Sequence, residues 1–569
     1  MGYRNFKLAI YCPVGDLNGI KNINEFDKSF SFIEKYLQPD KVYLETFRNS
    51  VTIEKDKLLL IKNYFQSKGI KTSGGITTSL ETTEAFRSMC YTNEEDIKTL
   101  KDIVVYTANI FDEIILDDFY FTNCKCSSCI DAKGNSNWAE FRTELMKHIS
   151  ADCIIKPAKE VNSDINLIIK YPNWYEHYQE TGYNLKDESL LFDMIYTGTE
   201  TRDPQHTQQH LPRYLSYFIM RYLENVKPGK NGGGWFDPYQ CSYNTASYAD
   251  QALLTLLGKS REVTLFCLGS LLNRDYSIFV PIAGYIFDTV DEFIGSLGNP
   301  TGTACYLPYH SCGEDYLHNY IGMLGIPLEP YPELNLAYNN IFLTKNAAFD
   351  KDIVSKIKNM LLSGKNVIIT TGLLKAVQDS GFDTIANIRC TDRRAYVNKF
   401  AISDYGVVFN KMAFSEKPVL IPQLDYSTND SWQLVSGLGC ENNFPILTKN
   451  SYGKGSLYIL TIPDDFGDLY YYPAEALYPI RSAFSHNSDI LIDTVSKVSL
   501  FTYDNGIFVI KSFLPFTQEV AITVNKPGVC LNDLVSGEQI KGLQCGNKTI
   551  FNVQIAPMSY RVYKETEVY

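Results

Sequence analysis

The chain has 569 residues, 45% hydrophobic and 21% charged, which is the composition of an ordinary folded protein too long for one hydrophobic core. Its net charge of -12 argues against nucleic acid and anionic membranes as partners, because both require a basic surface. No apolar stretch reaches the ~20 residues that span a bilayer, and the N-terminus lacks the longer apolar region of a signal peptide, so we expect a cytoplasmic location.

The first 290 or so residues alternate between short β-branched or aromatic runs and segments of helical period, such as Asn93–Phe111 and Leu211–Val226. Eight strands are predicted: Lys7–Cys12, Val42–Phe47, Ile70–Ile76, Glu113–Phe119, Asn166–Tyr171, Met194–Gly198, Gly233–Asp237 and Val263–Leu268. This alternation indicates a parallel sheet, either a (β/α)8 TIM barrel or an open doubly wound sheet. We favour a barrel over residues 1–297, because most of the strands end in polar or small residues that suit a shared rim.

The Gly/Pro-rich segment LGNPTG then breaks the pattern. A second strand–helix series follows, including Asn340–Leu343, Asp350–Leu362 and Asn366–Thr371, and predicts a three-layer α/β domain over residues 298–488. From residue 489 to 569 the helical period disappears, and alternating runs separated by Asn-Gly and Pro-Gly turns predict a small antiparallel β domain like a β-sandwich.

Two adjacent acids, Asp117 and Asp118, directly follow the apolar run of the fourth predicted strand. Buried carboxylates are costly, so this pair needs water, a metal, ionic partners or a catalytic role. A helix cap or a loop salt bridge is the structural alternative. Because successive side chains on a strand point to opposite faces, we expect one acid to act and the other to orient.

A cluster of cysteines comes next, with Cys124, Cys126 and Cys129 inside six residues. Three thiolates on one loop suit a tetrahedral zinc, and Cys90, before the preceding helix, is the candidate fourth ligand. Four thiolates leave no open position, so the metal would be structural. Buried free thiols are the alternative, and we expect no organic cofactor.

The strand that ends in two polar residues, an aromatic residue and a Cys-x-Cys-x-x-Cys loop, followed by a helix with Trp138 and Phe141, resembles the acid/base region of glycoside hydrolase family 42. This clan A-like family comprises β-galactosidases with a cysteine zinc cluster. The resemblance implies a barrel, a glutamine-amidotransferase-like trimerisation domain and a small β domain, and self-association as a dimer or trimer. This chain departs from the family in offering Asp118 and Asp237 where the family has glutamates.

Other strand ends carry side chains that suit a carbohydrate, whose recognition requires hydrogen-bonding groups and aromatic faces. Beyond strands five and six lie Trp174 and the trio Glu200, Arg202 and Asp203. The remaining candidates for substrate binding are Trp235 in strand seven, Glu45 near the end of strand two, and Lys170, which is either a hydroxyl ligand or a charge at the edge of the core.

The carboxylates at the strand ends predict a glycoside hydrolase acting on an oligosaccharide or glycoside, and the resemblance implies that it is exo-acting and β-galactosidase-like. In this hypothesis Asp118 is the general acid/base and Asp237 the nucleophile, with Glu200 as the substitute for the second role, while Asp117 and Arg202 hold hydroxyls. An alternative is an α-retaining glycosidase with Asp118 as nucleophile.

Two further alternatives belong to other classes: a non-catalytic carbohydrate-binding barrel, in which no acid pair would face a common pocket, and a metal-dependent hydrolase. Only seven histidines occur, and His206 and His210 follow Pro204 in a polar setting that favours a solvated loop, so we disfavour the metal-dependent hydrolase.

Overall fold

The computed structural model describes residues 2–80, 87–202, 211–403, 408–439, 441–485 and 490–567. The predicted site residue Asp203 and the pair His206 and His210 lie outside these ranges. The chain divides into two units, Met1–Gly295 and Ser296–Tyr569. Within the described ranges, every helix is too short or too polar to cross a membrane.

The first unit is the predicted barrel, which the structure confirms. Its parallel strands are β1 (Lys7–Cys12), β2 (Lys41–Arg48), β3 (Lys71–Ile76), β4 (Glu113–Leu116), β5 (Asn166–Tyr171), β6 (Met194–Gly198), β7 (Asn231–Phe236) and β8 (Glu262–Phe266). Each strand pairs with the next, and β1 pairs with both β2 and β8, so the sheet closes on itself. A short strand, Val51–Thr52, adds an antiparallel pairing to the end of β2.

Helices follow the strands as amphipathic segments. The helix Glu94–Ala108 is typical: the Asn93 side chain caps its first turn, and Leu100, Ile103 and Val104 are buried along one face. The described helices of this unit are Val14–Gly19, Ile23–Tyr36, Lys55–Ser67, Glu94–Ala108, Ser127–Lys133, Trp138–Ile149, Lys156–Val161, Tyr178–Thr181, Glu188–Leu191, Leu215–Val226, Thr245–Leu257, Leu268–Leu272 and Phe279–Asp291.

The barrel interior is layered along its axis. At the amino ends of the strands, Lys41 Nζ lies 2.8 Å from Glu113 Oε1 and 2.9 Å from Glu262 Oε2, so a charged cluster closes this end. Above it lies a packed layer that includes Tyr11 and Trp235. A functional site therefore has room only at the carboxyl ends of the strands, as in other barrels of this class.

Strand β4 is shorter than predicted, since it ends at Leu116 rather than at Phe119. The backbone N–H of Asp117 still donates to the Ile76 carbonyl, but the Tyr120 N–H donates to the Asp117 carbonyl and the chain turns. Asp118 therefore lies on a turn rather than in a strand. The expectation that the two acids point to opposite faces is wrong, because the alternation of strand side chains does not extend to this turn.

The second unit begins with a nine-stranded sheet. The order of its strands is Leu328–Tyr331, Thr303–Tyr306, Asn340–Leu343, Asn366–Thr370, Gly455–Leu460, Asn442–Tyr452, Trp432–Gly439, Ile388–Ile402 and Lys411–Tyr426. The first five strands are parallel and the last four are joined antiparallel. The described helices are Leu317–Gly322, Ile353–Leu362, Thr371–Val377 and Ala474–Phe484.

Helices cover both faces of the parallel part of this sheet. Ile341 and Leu343 share a core with the helix Ile353–Leu362, whereas Phe342, between them, packs against Phe484 with 4.9 Å between ring centroids. Alternate side chains of one strand thus enter two different cores, which is the three-layer arrangement that the sequence predicts.

The chain ends in two antiparallel sheets that pack face to face. One contains Pro300–Thr301, Val498–Tyr503, Ile507–Ser512, Tyr560–Glu567, Val529–Asp533 and Gln539–Lys541, and the other Ile490–Asp493, Gln518–Val524, Lys548–Ile555 and Leu543–Cys545. Leu500 and Ile510 from the first sheet share a core with Ile522 and Phe551 from the second. This part of the chain is the predicted β-sandwich.

Candidate active site

A cavity of about 370 Å³ opens where the carboxyl ends of the barrel strands meet. It brings together most of the site residues that the sequence predicts, which come from the ends of four different strands. Those that line it are Asp117, Asp118, Lys170, Trp174, Glu200, Arg202, Trp235 and Asp237.

Lys170, near the end of β5, lies at the centre of the acidic residues. Its Nζ is 2.7 Å from Asp118 Oδ2, 3.2 Å from Glu200 Oε1 and 3.5 Å from Asp117 Oδ1. The side chain is 2% exposed, so these contacts replace its water shell. Since both oxygens contact one nitrogen, Asp118 Oδ2 and Glu200 Oε1 are no more than about 6 Å apart, close enough for two carboxyl groups to act on one glycosidic bond.

Arg48, at the end of β2, is a cavity residue that the sequence analysis did not identify. Its Nη2 donates to Asp117 Oδ2 at 2.6 Å and to Thr77 Oγ1 at 3.0 Å. Its Nε contacts both Glu45 oxygens, at 2.9 and 3.1 Å. Asp117 therefore has two cationic partners, Arg48 and Lys170.

The structure corrects the prediction that Glu45 binds substrate. Its side chain is fully buried, outside the cavity wall. It accepts hydrogen bonds from Tyr11 OH at 2.8 Å, Thr77 Oγ1 at 2.5 Å and the Val14 N–H at 2.7 Å, besides the Arg48 contacts. Glu45 thus lies among buried side chains, where its carboxylate is an ionic partner of Arg48.

Asp237 follows β7 and has a separate cationic partner. Its Oδ2 accepts a hydrogen bond from Arg202 Nη2 at 3.0 Å, and its Oδ1 accepts one from the Tyr239 N–H at 2.9 Å. The side chain is 8% exposed. Both oxygens are thus fixed in direction, and the carboxylate is held rigidly at the edge of the cavity.

The surroundings of Asp117 and Asp118 shift the pKa values of the two adjacent acids in opposite directions. Burial raises the pKa of Asp118 to about 7, against the lowering effect of Lys170, and the charges of Asp117 and Glu200 raise it further. The pKa of Asp117 is instead lowered: Lys170 and Arg48 outweigh the effect of burial. Near neutral pH Asp117 is ionised, whereas Asp118 gains and loses a proton.

Burial also raises the pKa of Asp237, to about 6, with Arg202 opposing the shift and Glu200 adding to it. Between pH 6 and pH 7 the prevailing form of the cavity has a protonated Asp118 and an ionised Asp237. One carboxylic acid and one carboxylate in a common cavity are the groups that general acid and nucleophilic catalysis require. A non-catalytic barrel would not need this pairing.

Each acid of the cavity is paired with Lys170, Arg48 or Arg202. The carboxylates are thus neutralised by fixed side-chain cations, whereas carboxylates that bind a metal ion are neutralised by the ion. The geometry thus favours acid/base chemistry by side chains over a metal-dependent hydrolase.

Aromatic rings surround the charged groups. Trp235 is almost fully buried, with Lys170 Nζ 4.2 Å above its ring and Phe266 stacked on it at 5.5 Å. It therefore serves as the floor of the cavity rather than as an open platform. Trp174 also lines the cavity, in edge contact with Phe121 at 5.8 Å between ring centroids.

Three buried polar atoms in the described part of the cavity wall have no hydrogen-bond partner: Trp174 Nε1, Glu200 Oε2 and Arg202 Nη1. Unpaired buried polar groups are costly, so a ligand that pairs with them gains affinity. Two donors and one acceptor are complementary to hydroxyl groups, which both accept and donate.

The four predicted zinc ligands lie together at one edge of the barrel. The sulfur atoms of Cys90, Cys124, Cys126 and Cys129 are all within 4.8 Å of one another. Cys90 Sγ is 3.7 Å from Cys126 Sγ and 3.6 Å from Cys129 Sγ. A tetrahedral ion with Zn–S bonds of ~2.3 Å requires sulfur atoms about 3.8 Å apart, so the spacing fits a metal ion.

The acids and two of their cationic partners, Lys170 and Arg202, were predicted from the sequence, but other residues of the cavity wall were not. They include Arg48, Asn173, Tyr239 and Phe266. The strand-end position of Arg48, three residues after Glu45, was the available signal for one of them.

Comparisons with known proteins agree with this geometry. Residues 1–287 match the family model "Probable glycosyl hydrolase, catalytic domain", residues 298–465 the second domain of the uncharacterized protein SSO3021, and residues 489–565 "Probable glycosyl hydrolase, C-terminal domain". The uncharacterized protein SSO3021 of Saccharolobus solfataricus is 23% identical, and the alignment covers 99% of this chain and 100% of that protein.

Solved glycosidase structures share the fold along the whole chain. A catalytic mutant of Gan42B, a GH42 β-galactosidase from G. stearothermophilus, has a TM-score of 0.66 at 11% identity, with 99% of each chain covered. The α-L-fucosidase isoenzyme 2 from Paenibacillus thiaminolyticus has a TM-score of 0.67 at 12% identity, with 100% of each chain covered. The β-galactosidase of Bacillus circulans sp. alkalophilus has a TM-score of 0.60 at 10% identity, with 99% of each chain covered.

Proposed function

The chain belongs to the probable glycosyl hydrolase family through its catalytic domain and is a glycosidase; on this premise we propose that it is a retaining, exo-acting enzyme with Asp118 as acid/base and Asp237 as nucleophile. One observation carries the assignment: the two acids share a cavity in which burial raises both pKa values, to about 7 for Asp118 and about 6 for Asp237, so that between pH 6 and 7 Asp118 is mainly protonated and Asp237 mainly ionised.

In the first step, Asp118 donates its proton to the glycosidic oxygen as the bond from this oxygen to the anomeric carbon breaks. Asp237 attacks the same carbon and forms a glycosyl ester, while the alcohol leaves with the proton. In the second step, Asp118 takes a proton from water, which attacks the anomeric carbon. The ester bond breaks, and both side chains return to their starting forms.

We assign the nucleophile to Asp237 rather than Glu200 because of how each is held. Arg202 and the Tyr239 N–H fix both oxygens of Asp237, whereas Glu200 shares Lys170 with two other acids. Glu200 Oε2 and Arg202 Nη1 remain for substrate hydroxyls, and Asp117 orients the cluster.

The cavity volume of about 370 Å³ is near the lower end of the ~300–1,000 Å³ range of small-molecule sites. It suits one or two sugar rings, which supports attack at a chain end. A β-galactoside is the first substrate to test, because two of the structures that share the fold are β-galactosidases.

A screen of 4-nitrophenyl glycosides, followed by kinetics of three variants, tests the assignment. Asp237→Asn should lose about 10³-fold or more in kcat, and azide should rescue it by giving a glycosyl azide of inverted configuration. Asp118→Asn should lose most of its kcat/KM on poor leaving groups and little on a 2,4-dinitrophenyl glycoside, whose departure needs no proton, while kcat falls on both because the second step lacks its general base. Glu200→Gln should keep the chemical step and mainly raise KM. If Glu200→Gln alone abolished turnover and azide rescued it, Glu200 would be the nucleophile.

A second candidate activity is α-retaining hydrolysis, for example of an α-L-fucoside, with Asp118 as nucleophile. It is supported by the α-L-fucosidase that shares the fold and by the 2.7 Å ion pair between Lys170 and Asp118, which favours the ionised carboxylate. NMR of the first-formed sugar anomer and labelling with a slow mechanism-based 2-fluoro glycoside distinguish the two: peptide mapping should find the label on Asp237 in the first case and on Asp118 in the second.

We further propose that the four-cysteine cluster holds a structural zinc ion through Cys90, Cys124, Cys126 and Cys129. The backbone N–H of Cys129 lowers the pKa of Cys126 to about 6, which favours the thiolate that metal binding requires. A zinc ion there would cross-link the loop that follows Asp118 to the loop that holds Cys90.

The domain limits 1–297, 298–488 and 489–569 remain our proposal for the full chain, as does assembly into a dimer or trimer. Sedimentation equilibrium measures the assembly.

A further inference from the structure

We propose that Lys170 is a positioning residue. Its ammonium group keeps the carboxyl groups of Asp118 and Glu200 close together and determines the pH at which Asp118 loses its proton. The inference deepens the proposed function and rests on the assignment of Asp118 as acid/base. It replaces the two sequence-based interpretations of Lys170, a hydroxyl ligand or a charge at the edge of the core.

The hydrogen-bonding capacity of Lys170 is fully used by neighbouring carboxylates. An ammonium group has three N–H donors and no acceptor, and Lys170 Nζ has three carboxylate neighbours, on Asp118, Glu200 and Asp117. The ring of Trp235 covers it at 4.2 Å. Every donor therefore already has a partner, so Lys170 acts on the substrate through the acids and not by direct contact.

The position of Lys170 in the barrel places its ammonium group between the acids of two neighbouring strands. Lys170 is on β5, between the acids that follow β4 and Glu200, which follows β6. Without a cation there, Asp118 in its ionised form would be repelled by Glu200, whose nearest oxygen is within about 6 Å. The ammonium keeps them together.

Within the described residues, Asp118 has a single ion pair, with Lys170. Asp117 has Arg48 as a second cation, and Asp237 has Arg202. Of the charged groups facing Lys170, Asp117, Glu200 and Asp237 are negative, and the positive groups Arg48 and Arg202 contact other acids. Removing the ammonium therefore changes the surroundings of Asp118 the most.

The sign of the effect follows from the charges. Lys170 lowers the pKa of Asp118 and, more weakly, that of Asp237, whereas Glu200 raises the pKa of both. Loss of Lys170 should move the basic limb of the profile of kcat/KM against pH, which reports Asp118, to higher pH. Loss of the Glu200 charge should move the same limb to lower pH.

The test compares pH profiles of the full-length wild type, Lys170→Met, Lys170→Arg and Glu200→Gln. Lys159→Met is the matched control, since Lys159 also pairs with an acid, Asp193 at 3.1 Å, but lies outside the cavity. We expect the basic limb to rise by ~1 pH unit or more in Lys170→Met, with kcat reduced ~10- to 100-fold and KM changed less than about threefold.

Lys170→Arg retains the charge, so its basic limb should lie within about 0.5 pH unit of that of the wild type. The basic limb should stay in place in Lys159→Met and move to lower pH in Glu200→Gln. A folded Lys170→Met enzyme with an unmoved limb would overturn the proposal, as would one that raises only KM. If Lys170→Met does not fold, the pH profile of Glu200→Gln still tests the proposal. A basic limb that stays in place or moves to higher pH in Glu200→Gln would contradict a cluster in which the charges around Lys170 set the pKa of Asp118.

The Asp118→Asn profile separates this inference from the proposed function. A basic limb that persists in Asp118→Asn refutes the acid/base assignment itself. A limb that vanishes in Asp118→Asn and does not move in Lys170→Met refutes only the role of Lys170.

Discussion

The protonation of Asp118 and Asp237 predicts a narrow, bell-shaped dependence of kcat/KM on pH. The active form has Asp118 protonated and Asp237 ionised, with pKa values of about 7 and about 6, both raised by burial. Activity should therefore be greatest near pH 6.5, where about 60% of the enzyme has this form. At pH 8 most of Asp118 has lost its proton, and at pH 5 most of Asp237 has gained one, so about 9% of the enzyme has the active form at either pH, a fall of about sixfold.

Initial rates with a 4-nitrophenyl glycoside well below KM, at constant ionic strength and with quenched 4-nitrophenol, measure this profile. Asp118→Asn should lose the basic limb on an activated substrate while the acid limb persists. Activity that varies less than twofold between pH 5 and pH 8 would refute the argument, since it would mean that neither catalytic group titrates near neutrality.

Three further predictions concern stability and metal content. Purified protein should contain about one zinc ion per chain by mass spectrometry of the metal, and a chelator should lower the melting temperature along with zinc content; a cluster without metal would contradict the proposed zinc site. Lys41→Met should cost about 3–5 kcal/mol in denaturant unfolding, because it leaves Glu113 and Glu262 buried without their cation, and an unchanged midpoint would exclude this role. Arg481→Met should destabilise the second unit by roughly 2–4 kcal/mol in calorimetry, since the buried guanidinium donates to three backbone carbonyls; the barrel transition is its internal control.

The fold of the barrel could be predicted because its strands are short, apolar and regularly spaced between amphipathic helices. The long strands Ile388–Ile402 and Lys411–Tyr426 were not predicted, although they pair along most of their length. Both faces of Ile388–Ile402 carry exposed charged residues, such as the neighbours Arg393 and Arg394, so the strand lacks the regular alternation from which a half-buried strand is recognised.

The acidic residues of the site could be predicted from the sequence, but the directions of their side chains could not. A carboxylate after an apolar strand is visible in the sequence, whereas the direction of a side chain depends on barrel register and on the residue at which a strand ends. Glu45 was therefore placed at the cavity, although its side chain lies outside the cavity wall. Asp117 and Asp118 were expected on opposite faces because β4 was predicted three residues too long.

The positions of the two cations suit the movement of charge that the proposed mechanism requires. In the first step, Asp237 loses its negative charge on forming the ester, and Asp118 gains one on giving up its proton, so the net charge of the cavity does not change. Lys170 lies 2.7 Å from the carboxyl group on which the charge appears, and Arg202 lies 3.0 Å from the one that loses it. A cation already fixed beside Asp118 stabilises the developing carboxylate more than the neutral acid, and it does so without solvent reorganisation. This differential effect is why Lys170 should influence kcat more than KM.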